Sequence, residues 1–415
     1  MDKRQKINLI GFIILAGFAL ATLVCYFKGA YLQRLYPENT FLFKPSAAFT
    51  DFSGLYDFMM RGNPYEQINA SPYYPLANLV IFLFTLLPMG WSFLVFVLGF
   101  LAFLTWFNAR NLATGDRMEL VRNVFIFTCL TYPVLFALDR GNLECLLVLF
   151  VLYFAHFFMK ERYELAAFFL SLAIAMKAFP VILSLLFLAR RQYKAFVMTA
   201  VSTVVLTVFS LAAFRCNPVA YVSMALHGGN VAHDNTFSAF SAANWAFQRG
   251  PGLFGVYKLA LLNFHVIKQM DMSWWLALYY GFAVSLMGLI AAYVIWIEKQ
   301  TWKQMALLVF AMLLLPHISS DYRLLYLFVP LLLFINSERS PRRDVTYAIL
   351  FGLLLIPKDY FFIPQTETDA LTGDNMNWAP AGISMLLNPL LLLTFVMFIV
   401  TEGFKDRAER KRINA

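Results

Sequence analysis

The fold is decided by a long apolar stretch that a lysine and a proline interrupt near its centre, which an ordinary membrane span would not contain. Residues 165–191 read LAAFFLSLAIAMKAFPVILSLLFLARR, with Lys177 and Pro180 at the interruption. Basic clusters flank its apolar part, residues 165–188: Lys160 and Arg162 before it, and Arg190, Arg191 and Lys194 after it. Because cytoplasmic loops carry an excess of Lys and Arg, both flanks are predicted to be cytoplasmic. The stretch is then a hairpin of two short helices, since Pro180 ends one and starts the next.

The tip of this hairpin is predicted to lie within the membrane. Each half has about 12 residues, or roughly 18 Å at the helical rise of 1.5 Å per residue, against a hydrocarbon core of about 30 Å. Lys177 would therefore be recessed in the outer half of the bilayer, with no acidic neighbour in sequence. Two explanations stay open: the ammonium snorkels to the headgroups, or it is buried facing an anionic ligand.

Composition places the whole chain in the class of all-α polytopic membrane proteins. Sixty per cent of the 415 residues are hydrophobic and 14% are charged, and the mean hydropathy is +0.65. The net charge of +9 is explained by the topology of the loops, and no nucleic-acid partner is expected. The four cysteines are scattered without a disulfide or C-x-x-C spacing.

The distribution of Lys and Arg predicts a bundle of about 12 transmembrane helices in a single domain, residues 1–415, in the plasma (inner) membrane with both termini cytoplasmic. The expected spans are 7–26, 91–108, 121–138, 143–159, the two halves of 165–188, 195–214, 274–297, 305–316, 322–336, 345–357 and 379–401. A first outer loop covers 28–90, with an interfacial or re-entrant helix at 76–88. A second outer segment covers 215–273, and 402–415 is a cytoplasmic tail.

Ionisable residues on the predicted outer side are candidate functional residues, since each costs about 2.5 to 3.5 kcal/mol at membrane depth. They are Asp51, Asp57, Arg61, Arg140, Lys177, His227, His233, His317, Asp321 and Arg323. Structural explanations are kept beside the functional ones. His317 is equally a loop histidine, Arg323 equally an interfacial anchor, and Arg140 has Asp139 beside it as a possible ion-pair partner.

Asp51 is the candidate catalytic residue. It stands without a second carboxylate in a D-x-D pair, so no metal site and no cofactor are predicted. A lone carboxylate suits a general base. The alternative is a solvated or N-capping Asp before a short helix at 52–60.

Four further residues of the first outer loop are candidates for substrate contacts, namely Asp57, Arg61, Tyr65 and Tyr74. Asp57 lies on roughly the opposite flank of the short helix and is also explained as structural. The tyrosines could stack on sugar rings or belong to an interfacial aromatic belt.

The motifs around these residues resemble those of the polyprenyl-phosphate-sugar-dependent glycosyltransferases of the GT-C fold. The likeness is narrower to glycosyltransferase family 87, whose best known members are mannosyltransferases. It rests on GNPYEQ (62–67), YYPL (73–76), DRGNLECLLVLF (139–150), AIAMKAFPVILSLLFLARRQYKAF (173–196) and LLLPHISSDYRLLYLFVPLLL (313–333). One departure is Tyr74-Pro75-Leu76, where the family often has two successive prolines.

The resemblance implies a GT-C-like bundle with Asp51 as catalytic base and with Lys177, His317, Arg323 and Arg140 binding the donor phosphate. The implied reaction is inverting transfer of a hexose, with mannose expected, from a polyprenyl-phosphate donor to a glycolipid or glycan acceptor on the extracytoplasmic side. A twelve-span secondary transporter and a non-catalytic scaffold are the competing classes. Transporters usually repeat their hydropathy in two matching halves, and the two long outer segments here differ in composition.

Overall fold

The part of the chain that the structure describes is mostly helical. This computed structural model describes residues 1–65, 73–219, 221–222, 251–263, 272–317, 319–338, 343–362 and 382–413. Within these ranges the only extended pairing is an isolated bridge between Phe362 and Gly382. The prediction of an all-α protein is therefore confirmed. His227, His233 and most of the predicted outer stretches 215–273 and 357–378 lie outside the described residues.

Sixteen α-helices are described. They are α1 (Lys3–Ala30), α2 (Thr50–Met60), α3 (Pro75–Phe84), α4 (Met89–Leu112), α5 (Arg117–Cys129), α6 (Tyr132–Arg140), α7 (Glu144–Met159), α8 (Tyr163–Met176), α9 (Leu185–Ala189), α10 (Tyr193–Ala213), α11 (Leu253–Asn263), α12 (Met272–Trp296), α13 (Thr301–Leu314), α14 (Phe328–Ile335), α15 (Asp344–Leu354) and α16 (Ser384–Ile413). Short 3-10 segments occur at Pro45–Ala47, Phe179–Ser184 and Asp321–Leu327.

Among the described residues, five helices are long and apolar enough to cross a bilayer: α1, α4, α10, α12 and α16. The count becomes six if α5 and α6 form one bent span. The chain is a multi-pass membrane protein, but the predicted number of about 12 spans is not confirmed. Several expected spans are helices too short to cross a bilayer upright: α7 has 16 residues, and α8, expected as a half-length helix of the hairpin, has 14. At 1.5 Å per residue these reach only about 21 to 24 Å.

The expected span at 121–138 is interrupted in the structure. It is broken between α5 and α6, which meet at an angle of 49°. Pro133 is the second residue of α6. Its ring has no N–H to donate and would clash with the carbonyl four residues earlier, so an α-helix cannot run through this point undistorted.

The predicted interruption at Lys177 is present. Helix α8 ends at Met176, and Lys177 has extended backbone angles (φ −156°, ψ 134°). The chain resumes as a 3-10 segment with Pro180 in its first turn, and this segment packs back against α8. The second expected hairpin has the same form, since α13 ends at Leu314 and the chain resumes at Asp321. In both, the second half begins as a tight 3-10 turn, where the sequence predicts an α-helix.

The chain divides into two compact units. The first comprises Met1–Lys44, Thr105–Phe136 and Ser241–Ala415, and the second comprises Pro45–Leu104 and Ala137–Phe240. The expectation of a single domain over the whole chain stays a prediction. Asp51, Arg140 and Lys177 belong to the second unit, whereas His317 and Arg323 belong to the first.

Helix packing in the second unit brings distant parts of the sequence together. Helix α8 packs against α7 on one side and α10 on another, and α3 contacts α2, α8 and α10. The N-terminus of α2, the turn between α6 and α7, and the C-terminus of α8 are the three places that carry Asp51, Arg140 and Lys177.

In the first unit the central element is α13, buried from Trp302 to Leu314. It packs against α12, α14 and α16.

Candidate active site

The first turn of α2 is held in place by aromatic packing. Phe52 is almost completely buried, and its ring centroid lies 5.8, 5.4 and 5.1 Å from those of Phe84, Phe93 and Phe96. The backbone N–H of Phe49, just before the helix, donates a 2.7 Å hydrogen bond to the carbonyl of Asp139. Asp51 is therefore fixed next to the turn that joins α6 to α7.

The Asp51 carboxylate is bound from both sides by residues of that turn. The Arg140 guanidinium donates to one carboxylate oxygen, and the side-chain amide of Asn142 donates to the other at 2.6 Å. The side chains of Arg140 and Asp51 are only 7% and 15% exposed. The alternative of an N-capping Asp51 is wrong, because Phe49 occupies the N-cap. The alternative of a solvated carboxylate does not fit either, because both of its oxygens accept hydrogen bonds from the protein.

The Arg140 guanidinium binds groups of the protein itself. Besides pairing with Asp51, its guanidinium donates to the carbonyl of Ala47 at 3.1 Å. The sequence suggested Asp139 as its partner and the donor phosphate as its ligand. The observed contacts instead make Arg140 a residue that holds Asp51, and phosphate binding by it stays a prediction.

Gly141 and Asn142 shape the turn. Gly141 has φ +63°, and a Cβ built on it would lie 2.9 Å from Cβ of Phe52, so both the backbone and the packing require glycine. The Asn142 side-chain oxygen accepts the backbone N–H of Glu144 at 3.0 Å, which satisfies one of the donors at the start of α7. Asn142 thus connects Asp51 to Glu144.

Lys177 is paired with Glu144, which the sequence analysis missed. Its ammonium lies 2.7 Å from a carboxylate oxygen of Glu144, and the two side chains are 16% and 0% exposed. Snorkelling of Lys177 to the headgroups is therefore wrong. A signal was present in the sequence, since a carboxylate inside the apolar run LECLLVLF requires a buried partner. We refer to Asp51, Arg140, Asn142, Glu144 and Lys177 as the carboxylate–lysine cluster.

Tyr73 borders this cluster. The Lys177 ammonium lies 6.0 Å from the centre of its ring. Burial raises the pKa of the Tyr73 phenol, the Asp51 and Glu144 carboxylates raise it further, and Arg140 opposes them. The phenol is therefore protonated at neutral pH and lies within electrostatic reach of both carboxylates.

The four residues expected to contact substrate lie along or after α2. Asp57 and Arg61 are exposed, and Tyr74 precedes the first residue of α3. Tyr65 is half-buried, and its hydroxyl accepts a 3.2 Å hydrogen bond from the side chain of Asn78. Substrate contact by these four residues stays a prediction.

A groove of about 310 Å³ opens at the C-terminal end of α2, close to Tyr65 in sequence. It is lined by Met59, Gly62, Asn63, Leu79, Phe82, Ala213, Phe214 and Arg215. Its lining is mostly apolar, with the Asn63 side chain donating to the Phe214 carbonyl at 2.8 Å.

His317 and Arg323 lie close together in the first unit. Burial, and secondly the charge of Arg323, lower the pKa of His317 to about 4. One ring nitrogen of His317 is 2.6 Å from the hydroxyl of Tyr280, and Phe254 packs against the ring edge-on. The imidazole is thus neutral at neutral pH. The cationic role implied for His317 does not fit this environment, whereas Arg323 does supply a charge.

Asp321 fixes the loop that carries these two residues. It is fully buried and accepts hydrogen bonds from the Tyr132 hydroxyl at 2.8 Å and the Asn388 amide at 3.0 Å. Nearby, burial lowers the pKa of Lys358 to about 8, although Asp321 and Asp359 oppose the shift. In the described ranges no three His, Cys, Asp or Glu side chains are grouped as metal ligands.

Comparison with protein families gives a match to glycosyltransferase family 87 over residues 72–319. The matched region covers more than half of the 415 residues and includes Arg140, Glu144, Lys177 and His317. Asp51 and Arg323 lie outside it. Neither the curated proteins nor the solved structures contain a match to this chain.

Proposed function

This chain belongs to glycosyltransferase family 87, and we propose that it transfers a hexose, with mannose as the first candidate, from a polyprenyl-phosphate donor to a lipid or glycan acceptor. The observation that carries the proposal is the carboxylate–lysine cluster, in which Asp51 and Lys177 are joined through Asn142 and Glu144. A candidate base and a candidate phosphate-binding cation thus lie within one hydrogen-bonded group of a glycosyltransferase.

Asp51 is the proposed general base. A carboxylate has about four acceptor positions, and Arg140 and Asn142 each occupy one. The carboxylate is held in one orientation and can accept a proton from an acceptor hydroxyl within hydrogen-bond reach. As that hydroxyl oxygen attacks the anomeric carbon, its proton passes to Asp51.

Lys177 is the proposed stabiliser of the leaving group. The bond between the anomeric carbon and the phosphate oxygen breaks as the new glycosidic bond forms, and its electron pair leaves with the polyprenyl phosphate. Attack opposite the leaving group inverts the anomeric centre. An ammonium in a poorly solvated site stabilises the developing negative charge more strongly than water does.

Arg323 and His317 of the first unit are proposed as further phosphate-binding residues, with Arg323 supplying charge and neutral His317 a hydrogen bond in place of the cationic role expected from the sequence. The proposed location is the plasma membrane, with both termini cytoplasmic and the reaction on the extracytoplasmic side. The excess of Lys and Arg in the segments assigned to the cytoplasm supports this topology.

The test is sugar transfer by the purified chain in lipid nanodiscs. Radiolabelled polyprenyl-phosphate mannose and a panel of lipid acceptors are supplied, and glycolipid products are separated and identified by mass spectrometry. Asp51→Asn should abolish transfer. Glu164→Gln is the matched control, because it makes the same chemical change at an exposed ion pair with Lys194 in the same unit. Transfer retained by Asp51→Asn would refute the base assignment, and solute uptake without glycolipid formation would favour a transporter.

A further inference from the structure

Glu144 places a buried negative charge where the proposed function has to attract an anion. Its side chain is completely shielded from solvent, and its carboxylate accepts a 2.7 Å hydrogen bond from the Lys177 ammonium. A phosphate that approaches Lys177 therefore has to share the ammonium with a carboxylate. A site evolved only for tight phosphate binding would gain from a neutral residue at this position.

The charges of the cluster balance in pairs. Arg140 is paired with Asp51, and Lys177 is paired with Glu144, so that two cations face two carboxylates. Tyr73, whose pKa is raised by burial and by both carboxylates, stays uncharged beside them. The cluster as a whole thus has no net charge to hold a product anion.

The proposed reaction changes the charge of the phosphate. In the donor the phosphate is a diester with one negative charge, whereas the released polyprenyl phosphate is a monoester with a charge of about −1.5 to −2 at pH 7. Any cation that stabilises the leaving group also holds the product more tightly than the donor. Product release is then the step that an uncompensated lysine would slow.

We propose that Glu144 is a positioning residue that holds Lys177 in place and offsets its charge, so that the phosphate product is released. This inference rests on the proposed function. A carboxylate within several ångströms of the phosphate, at an effective dielectric constant of about 20, changes anion affinity on the order of tenfold or more. A variant that removes the Glu144 charge but keeps a hydrogen-bond acceptor for Lys177 should show this change in anion affinity.

Glu144→Gln is the decisive variant, because it keeps the side-chain length and one acceptor oxygen for Lys177. The probes are a short-chain prenyl phosphate and inorganic phosphate, titrated calorimetrically into the full-length protein in nanodiscs. We expect about tenfold tighter prenyl phosphate binding in Glu144→Gln than in the wild type. In steady-state assays the variant should show a lower donor KM, a lower kcat and stronger inhibition by prenyl phosphate. Glu144→Asp should return all of these values toward those of the wild type.

Glu402→Gln is the matched control. Its carboxylate pairs with buried Lys303 at 2.9 Å in the first unit. It should lower the melting temperature as other broken ion pairs do, but leave prenyl phosphate affinity unchanged. A gain of affinity in Glu402→Gln equal to that in Glu144→Gln would overturn the inference, because a general loosening of the protein would then explain both.

The result separates this inference from the proposed function. Unchanged or weaker prenyl phosphate binding in Glu144→Gln, or no binding by either protein, overturns the role of Glu144 even if the wild type transfers sugar. Tighter binding in the variant supports it even if no tested sugar donor is used, in which case the proposed function alone fails. The double variant Lys177→Met/Glu144→Gln should fold and lose the bound anion, and retained binding would also overturn the inference.

Discussion

The side-chain amide of Asn142 donates a 2.6 Å hydrogen bond to the carboxylate of Asp51. The oxygen of the same amide accepts the backbone N–H at the start of α7, so the amide cannot rotate without losing both bonds. The orientation of Asp51 is therefore set by the beginning of the helix that also carries Glu144.

Asn142→Asp should raise the pH at which transfer activity is lost on acidification. The substitution places a second carboxylate against Asp51, and two adjacent carboxylates raise the pKa of one of them because both cannot easily be ionised. A base with a raised pKa becomes protonated, and therefore inactive, at a higher pH during acidification. The acid limb of the pH profile of kcat/KM should therefore shift to higher pH. An acid limb at the wild-type position would argue against Asp51 as the base.

Gly141→Ala and Gly54→Ala should have opposite effects on stability. Alanine at 141 must adopt φ near +63° and place its methyl group against Cβ of Phe52, at a cost of about 1 to 3 kcal/mol. Gly54 lies inside α2 with open space around it, so alanine there should stabilise by about 0.5 to 1 kcal/mol. Melting temperatures in detergent measure both. Equal tolerance at the two positions would contradict the described turn.

Lys177→Met should destabilise the protein strongly, and Glu144→Gln in the same chain should restore much of the loss. Removal of one partner of a buried ion pair leaves the other charge uncompensated, at a cost of about 3 to 5 kcal/mol. Neutralising both removes that cost. Thermal unfolding of the two single variants and the double variant gives the interaction free energy between Lys177 and Glu144. If the two single effects simply add in the double variant, the side chains are not paired.

His317 should make the protein less stable as the pH falls from about 6.5 to about 4. Burial and Arg323 lower the pKa of His317 to about 4, whereas in an unfolded chain it is about 6.5. Between these values the unfolded state binds the extra proton, so stability is present above pH 6.5 and lost progressively below it. His317→Asn should flatten this part of the melting-temperature profile. A profile unchanged by the substitution would show that His317 titrates normally.

The interruption at Lys177 could be predicted because its cause is local. A lysine and a proline three residues apart in an apolar run are visible in the sequence, and each has a direct effect on the backbone. The same reasoning applied to Pro133 would have predicted the bend between α5 and α6. The number of spans could not be obtained in this way, because helices of 14 or 16 residues look like spans when hydropathy alone is read.

The partners of the charged residues could not be predicted, because they are distant in sequence. Arg140 and Asp51 are 89 residues apart, and Lys177 and Glu144 are 33 residues apart. Only the packing of α7 against α8 brings the second pair together. The sequence identified Asp51 and Lys177 as candidates from their isolation, but their ion pairs depend on tertiary structure.

The turn from Arg140 to Glu144 supplies the guanidinium and amide that hold Asp51, the glycine that fits against Phe52, and the carboxylate that holds Lys177. Five consecutive residues, 140–144, thus position both Asp51 and Lys177. Substitutions among these five residues should therefore co-vary in natural sequences. Laboratory evolution toward new acceptors should proceed more readily by exchanging the whole segment than by accumulating single substitutions.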